Sequence, residues 1–283
     1  MEQDKNQLKV KYHNDLSCIK TTSLKETDLN VFFALCAKAK DENSTQIQIS
    51  FDSFIKAAGL TNKATVNTRK KMINFIDKRY DVLSKLEYKS KTDNSLMRFS
   101  LINKLYVDEN DDFITLRIDE DFLYILNTET DFTKFVLANF VGLDGKFAKN
   151  LYRLLMRYDG TGWADYAIDD FKNYMGIPEG YRSKDILNKV INPAIEEIKA
   201  KNLMQDIRCD KKTSGRQGRE IKGFHFEFKV CVNDGMPGQL SFYECDKELR
   251  KYNEKKNAER KNSFLNYHQS EYDSELESKL LDN

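Results

Sequence analysis

One nine-residue segment occurs twice in this chain, and both copies lie in similar surroundings. Residues 52–60 (DSFIKAAGL) align without a gap on residues 169–177 (DDFKNYMGI), with Asp, Phe and Gly at matching positions. A run of alternating apolar and polar residues precedes each copy, at 46–49 and 163–168, as is typical of a half-buried β-strand. The agreement of segment and surroundings indicates that one structural unit is present twice.

Each repeated segment is predicted to be a short helix ended by a glycine, Gly59 or Gly176, just past its last turn. A turn and a second, basic helix follow, at 63–78 in the first half and 183–191 in the second. An amphipathic helix lies upstream of each segment and a hairpin lies downstream. The predicted hairpin strands are Leu83–Ser90 with Leu96–Val107, followed by Phe113–Ile118, and Leu203–Cys209 with Ile221–Val230.

Helix, strand, helix, turn, helix and hairpin is the order of elements in a winged helix, a form of the helix-turn-helix. The chain is therefore predicted to have an α+β fold, with two tandem winged-helix domains related by internal duplication. We assign residues 1–141 to the N-terminal winged helix and residues 142–232 to the C-terminal one. Residues 233–283 are charged and aperiodic, which predicts a loosely ordered tail. The segments 122–126 and 132–140 are predicted to be helical connectors.

Composition narrows the class of protein. Forty per cent of the residues are hydrophobic, and 18 Phe and 14 Tyr can fill two cores, so the chain is not intrinsically disordered. No apolar stretch approaches the roughly 18 residues of a membrane span, and the N-terminus lacks the regions of a secretory signal. Five cysteines without paired spacing indicate reduced thiols in a cytoplasmic protein. The net charge of +1 leaves nucleic-acid binding open, so the local distribution of charge decides.

The second helix of a helix-turn-helix enters the major groove of DNA, where its outward residues reach base edges. In the helix 183–191, the buried stripe is formed by Ile186, Leu187, Val190 and Ile191. Lys and Arg bind guanine, Asn binds adenine, and Asp accepts from the N4 amine of cytosine. The outward candidates for DNA binding are Arg182, Lys184, Asp185, Asn188 and Lys189. An ordinary solvated helix face is the alternative. The pair Asn192-Pro193 predicts that a separate helix starts there, with Asn as N-cap.

The helix of the first half is more basic, and the second hairpin has a basic turn. Thr65 and Asn67 are candidates for base contacts, and the cations around them suit phosphates. These cations are Lys63, Arg69, Lys70 and Lys71. The hairpin turn 211–219 carries two glycines and four further candidates, which are Lys211, Lys212, Arg216 and Arg219. Four cations on a flexible turn favour a grip on phosphates and the minor groove, with simple solvation as the alternative.

Signals of an enzyme are weak. The segment 142–146 (GLDGK) resembles the end of a phosphate-binding loop, but it lacks the Ser or Thr and the upstream glycine and is interpreted as a turn. The three histidines, His13, His225 and His268, share no metal-binding spacing with one another or with cysteines. We therefore predict no catalytic residue, no metal and no cofactor. A DNA-nicking enzyme, which needs paired histidines and a tyrosine nucleophile, is the alternative from another class.

Several short motifs of the second half follow the order and spacing of one known family. They are Leu151-Tyr152-Arg153-Leu154-Leu155, Gly162-Trp163, the helix 171–176, Tyr181, Asp185, Val190, Asn192-Pro193-Ala194, Glu196-Glu197-Ile198 and Phe224-His225-Phe226. In these motifs the chain resembles the initiator replication proteins of theta-replicating plasmids, over residues 8–230 and most closely over 146–230.

The resemblance implies a non-enzymatic protein that binds direct repeats (iterons) in the double-stranded DNA of a plasmid origin. It implies binding as a monomer that opens an AT-rich duplex for host replication proteins such as a helicase or initiator. It also implies a homodimer, formed through the N-terminal domain, that represses its own gene and so contributes to copy control. The resemblance adds Ser183 to Lys184, Asp185 and Asn188 as base-reading residues, although the family is often richer in Arg over 187–189. A duplicated winged-helix transcriptional repressor is the alternative among binding proteins.

Overall fold

A computed structural model gives the structure of the protein. It describes residues 8–18, 21, 23–40, 44–60, 69–83, 87–89, 96–98, 102–107, 113–214 and 220–231. Five candidate DNA-binding residues lie outside the described residues, as does the predicted tail: Lys63, Thr65, Asn67, Arg216 and Arg219. For Arg69 and Lys71 the helical backbone alone is described.

The helices and strands of the two winged helices follow the predicted order, with two corrections in the first half: the basic helix continues to Leu83, where a strand was predicted to begin, and the predicted strand Leu96–Val107 is two strands that belong to different sheets. The first half has β1 (Lys9–His13), a 3₁₀ turn (Asn14–Cys18), α1 (Glu26–Ala39), β2 (Gln46–Ser50), α2 (Phe51–Ala57), α3 (Arg69–Leu83), β3 (Glu87–Lys89), β4 (Leu96–Arg98), β5 (Ile102–Val107), β6 (Phe113–Ile118), α4 (Glu120–Leu126), β7 (Phe132–Val136) and α5 (Leu137–Val141). The second half has α6 (Lys146–Met156), β8 (Trp163–Ala167), α7 (Ile168–Met175), α8 (Ser183–Asp185), a π-helical segment (Ile186–Ile191), α9 (Asn192–Ala200), β9 (Met204–Ser214) and β10 (Glu220–Val230).

The two halves share a sheet topology as well as an order of elements. In the first half, β2 pairs with β6, and β6 pairs with β5; in the second half, β8 pairs with β10, and β10 with β9. In both sheets the strand before the helix-turn-helix pairs antiparallel with the last strand of the hairpin. Gly59 and Gly176 end the first helices with φ of +66° and +63°, as predicted.

The segment predicted to be a helix at 132–140 is instead a strand followed by a helix. β7 pairs antiparallel with β1, so that Phe132 lies opposite His13. Thr133 and Phe135 are buried and their neighbours are more exposed, which is the alternation of a strand. The prediction was wrong because the partner strand lies about 120 residues upstream, where no local pattern reveals it. The other predicted connector is the helix α4.

The helix is not interrupted at Asn192, where α9 begins. Its backbone is helical (φ −60°, ψ −48°), and its N–H donates to the carbonyl of Leu187 five residues earlier. The helical run therefore continues from Ser183 to Ala200 through a π-helical segment. A proline inside an α-helix removes one hydrogen bond and crowds the preceding turn, and the wider π turn lies where Pro193 would cause this strain. The predicted N-cap was wrong for that reason.

Candidate nucleic-acid interface

The recognition helix of the second half is held by a fully apolar inner face. Ile186, Val190 and Ile191 are completely buried. Phe171, from the first helix of the motif, packs against two rings of β10, with ring centroids 5.2 Å from Phe224 and 5.6 Å from Phe226. Burial of such side chains contributes about 1.5–3 kcal/mol each. The core thus fixes helix and hairpin to each other and determines which residues point outward.

The outer face of this helix carries amide and ammonium groups. Lys184, Asn188 and Asn192 are exposed at intervals of four residues, which places them on one face. Arg182 is exposed at the start of the helix, and Ser183 is half-buried beside it. Sequence reasoning missed Asn192 as a candidate because the Asn-Pro pair predicts an N-cap. Because the helix continues through Asn192, this residue lies on the exposed face opposite the buried Ile186 and Val190, together with Lys184 and Asn188.

Asp185 is engaged within the helix itself. Its carboxylate accepts the backbone N–H of Arg182 at 3.2 Å and lies 2.8 Å from Nζ of Lys189. The Lys189 ammonium and then the Arg182 N–H hold the pKa of this carboxyl below its usual range, and Asp185 raises the pKa of Lys189. The ammonium also lies 5.4 Å above the ring of Tyr181. Asp185 therefore orients Lys189. To contact a cytosine, the Asp185 carboxylate has to leave the Lys189 ammonium.

The corresponding helix of the first half, α3, presents a similar stripe. Lys70, Asn74 and Lys78 are exposed at intervals of four residues, while Phe75 and Ile76 on the other side are buried. Asn74 is a further candidate that sequence reasoning missed, although an amide between two cations is a pattern that binds adenine and flanking phosphates. The stripe gives α3 the same kind of outer face as the second recognition helix.

Lys211 and Lys212 lie in the strand β9 and not in the hairpin turn. β9 extends to Ser214, five residues beyond its predicted end, because its pairing with β10 continues past Cys209. Lys212 is opposite Gly223, and its ammonium reaches across that glycine to Asp165 of β8, 2.6 Å away. Lys212 is therefore held on the sheet, so the prediction that it lies in the flexible hairpin turn was wrong.

The outer face of the second sheet carries a histidine between two carboxylates. Nδ1 of His225 lies 2.7 Å from Asp165, and Nε2 lies 3.4 Å from Glu227, which also pairs with Arg208. Trp163, 43% exposed, packs with its ring centroid 6.0 Å from that of His225. The pKa of His225 is raised, mainly by Asp165 and then by Glu227, while their pKa values are lowered.

This network predicts a pH-dependent contribution to stability. The raised pKa of His225 means that the folded state favours the imidazolium. Its stabilising contribution is complete below the ordinary histidine pKa of about 6.5 and is lost as pH rises through the raised folded-state value. The free energy of unfolding of the wild type, minus that of His225→Gln, should fall as pH rises above about 6.5. A difference that is constant over this range, measured by urea denaturation, would contradict the assignment.

The turn 142–145 already holds an internal anion. The backbone N–H groups of Asp144 and Gly145 donate to the carboxylate of Glu197, with Gly145 3.1 Å from Oε1. These groups open α6, where a helix end attracts negative charge. Glu197 thus occupies the place that a phosphate would take, and it connects α9 to the start of α6. The interpretation of the segment as a turn agrees with this geometry.

The described part of the chain contains no group of three His, Cys, Asp or Glu side chains that could hold a metal ion. None of its helices is long and apolar enough to cross a membrane. Cys36, Cys209 and Cys231 are free thiols. Burial raises the pKa of Cys36 well above its usual value and that of Cys209 to about 12, so neither favours the reactive thiolate.

Two helix-turn-helix units, each completed by an antiparallel sheet, define a protein with two winged helices. Sequence comparison gives the particular family. Residues 9–156 match the family described as "Initiator Replication protein, WH1", and residues 167–228 match "Initiator Rep protein, WH2". The chain belongs to the family of initiator replication proteins. The predicted fold class and the resemblance to this family are confirmed.

Known proteins of similar sequence and structure agree with the family. The chain is 25% identical over 222 residues to a "Probable replication protein rep" of Bifidobacterium longum (strain NCC 2705), covering 77% of this chain and 72% of that protein. The Pi initiator protein, solved in complex with iteron DNA, matches with a TM-score of 0.61 and 15% identity, over 81% of this chain and all of that one. The similarity to the Pi initiator protein shows that the two proteins have a common fold.

Proposed function

We propose that this protein initiates plasmid replication by binding direct repeats in the double-stranded DNA of an origin and promoting the opening of the adjacent duplex. The observation that carries the proposal is the outer stripe of the second recognition helix, where Lys184 and Asn188 are exposed opposite a completely buried apolar face. The Pi initiator protein, which has the same fold, was solved with iteron DNA, and this supports repeats as the ligand.

Within this proposal the side chains have distinct roles. Asn188 binds an adenine edge, and Lys184 binds guanine or phosphate, because amide and ammonium groups match those positions. Arg182 and Ser183, at the start of the helix, and Lys189, in its second turn, bind phosphates or bases. The cations of α3 and of the second hairpin bind phosphates, which position the protein without reading sequence. These cations are Lys63, Arg69, Lys70, Lys71, Lys211, Lys212, Arg216 and Arg219.

We also propose a role for each domain and for each oligomeric state. Residues 1–141 contribute DNA binding and dimerisation, and residues 142–232 read the origin repeats. The protein acts in the cytoplasm without enzymatic activity of its own, binds repeats as a monomer, and forms a homodimer that represses its own gene and limits copy number. Host replication proteins such as a helicase or initiator then load on the opened duplex. A metal-dependent cleavage assay on supercoiled plasmid, expected to give no nicked product, tests the absence of enzymatic activity.

Asn188→Ala tests the proposed reading of sequence. Loss of a bidentate contact with a base should weaken binding to the repeat by about 1–3 kcal/mol and reduce discrimination against scrambled DNA. The repeat is found by footprinting the DNA that flanks the gene, and affinities follow from fluorescence anisotropy. Lys199→Ala serves as the control, because Lys199 is exposed in the same helical run but lies eleven residues beyond Asn188, roughly 16 Å along the axis. Equal binding of repeat and scrambled duplex by the wild type would rule out the proposed function.

A further inference from the structure

Buried polar groups join the start of the chain to the second winged helix. Arg153 and Asn150, on α6, are 1% and 0% exposed, and Thr21, which precedes α1, is 3% exposed. Such groups are costly to bury unless their hydrogen bonds are made. We call this cluster the polar junction; its members are Ser17, Thr21, Asn150, Arg153, Tyr174 and Met175.

The hydrogen bonds of the polar junction connect three parts of the fold. The guanidinium of Arg153 donates to the carbonyls of Ser17 at 3.1 Å and Tyr174 at 2.9 Å, and to the amide oxygen of Asn150 at 3.0 Å. The amide of Asn150 donates to the Thr21 hydroxyl at 3.0 Å and to the Met175 carbonyl at 3.1 Å. The Thr21 hydroxyl donates to the Tyr174 carbonyl at 3.1 Å. The N-terminal segment, α6 and the end of α7 are thus bonded to one another.

The junction holds α7 at the end that leads to the recognition helix. Tyr174 and Met175 are the last two residues of α7, and the recognition helix begins at Ser183 after a short turn. Gly176 ends α7 with φ of +63°, and a Cβ there would lie 2.9 Å from the backbone of Thr21. The N-terminal segment therefore packs directly against the helix-turn-helix of the second half.

A junction of this kind resists small displacements. Arg153 is a planar donor with fixed directions, and its carbonyl partners lie on two different segments. A shift of α7 relative to residues 17–21 would break bonds to a buried guanidinium and leave polar groups unsatisfied, which costs more than the bonds themselves contribute. The junction therefore favours one position of α7 and α6 relative to Ser17 and Thr21.

We propose that the polar junction sets the distance and angle between the two recognition helices, and so fixes the spacing of the two contact clusters in the DNA site. Arg153, Asn150 and Thr21 are positioning residues in this scheme, because they act through α7 and not by contact with DNA. The inference rests on the proposed function, since it requires both recognition helices to bind one duplex. One added base pair moves a contact by about 3.4 Å and rotates it by roughly 35°, which a fixed arrangement does not follow.

The test uses the full chain and a series of duplexes in which the middle of the footprinted repeat is lengthened or shortened by one and two base pairs. For the wild type, one inserted pair should lower affinity about ten- to a hundredfold, as displaced base contacts typically do. Thr21→Val keeps the side-chain shape but removes the hydroxyl, and Arg153→Met removes three hydrogen bonds. In both variants, one inserted base pair should lower affinity only a few-fold. Their affinity for the natural spacing should fall by less than the wild type loses when one base pair is inserted.

Tyr166→Phe is the matched control, because it also removes a buried side-chain hydrogen bond to α6, from Tyr166 to the Leu154 carbonyl at 2.9 Å, without involving the N-terminal segment. It should keep the wild-type spacing profile. If Thr21→Val lowers affinity equally at every spacing, or leaves the profile unchanged, the junction is only structural and the inference is overturned. A wild type that binds the repeat specifically but tolerates every spacing overturns the inference alone, whereas a wild type without sequence preference overturns the proposed function as well. Thr21→Val decides the question even if Arg153→Met does not fold.

Discussion

A chain in which Arg182, Lys184 and Lys189 are all replaced by alanine is expected to bind the repeat roughly a hundredfold or more weakly than the wild type at physiological salt. Arg182 directly precedes the second recognition helix, and Lys184 and Lys189 are exposed in its first two turns, where a docked helix comes closest to base edges and phosphates. Removing Lys189 also leaves the Asp185 carboxylate without its 2.8 Å partner, so a negative charge faces the DNA. The combined loss should therefore exceed that of any single replacement.

Salt dependence separates this explanation from a general loss of folding. Each phosphate that a cation neutralises releases counterions. The negative slope of log affinity against log salt should therefore become shallower by roughly 0.9 for each phosphate that the variant no longer neutralises. The control replaces three exposed lysines elsewhere, Lys134, Lys199 and Lys201, and has the same net charge. It should keep most of the affinity and of the slope. A triple variant that binds within threefold of the wild type, with an unchanged slope, would mean that this face does not meet DNA.

The parts of the fold that could be predicted from the sequence are those determined by local pattern. The repeated segment, its glycine ends and the burial of Phe171 follow from spacing along a few residues. The pairing of β7 with β1 could not be predicted, because it joins residues more than a hundred positions apart. The polar junction could not be predicted for the same reason. Arg153 lies in a largely apolar motif, Leu151 to Leu155, and its hydrogen-bond partners come from distant segments.

Some residues of the candidate interface could likewise be predicted from local pattern, and others could not. Lys184 and Asn188 could be assigned to an outer face because the apolar residues beside them define the inner one. The ion pair of Lys212 with Asp165 depends on the strand order β8–β10–β9, which the sequence of a single segment does not show. Asn192 was assigned to a helix start because Asn-Pro is a strong local signal. The π turn that keeps the helix continuous lies where Pro193 would crowd the preceding turn, and Val190 and Ile191 within it are buried in the core.

The shared arrangement of the two halves leads to an expectation about how much DNA one chain covers. The outer face of α3 carries Lys70, Asn74 and Lys78, which resembles the stripe on the second recognition helix. Two recognition helices in successive major grooves lie about one helical turn, roughly 34 Å, apart. One chain should therefore protect about two turns of DNA, with two clusters of base contacts and a middle that is contacted chiefly at phosphates.

Reversing the charge of the α3 stripe, by Lys70→Glu together with Lys78→Glu, should remove one of these clusters. We expect the footprint to shrink to about one turn and affinity to fall by roughly 10²- to 10⁴-fold, because the second contact is intramolecular once the first has formed. Lys134→Glu with Lys199→Glu makes the same change in net charge at exposed sites on β7 and at the far end of α9, and this control should keep the full footprint. Hydroxyl-radical footprinting and anisotropy titration of both variants measure the effect. If the Lys70 and Lys78 variant still protects two turns with wild-type affinity, α3 is a solvated helix, and the N-terminal half serves dimerisation without contacting DNA.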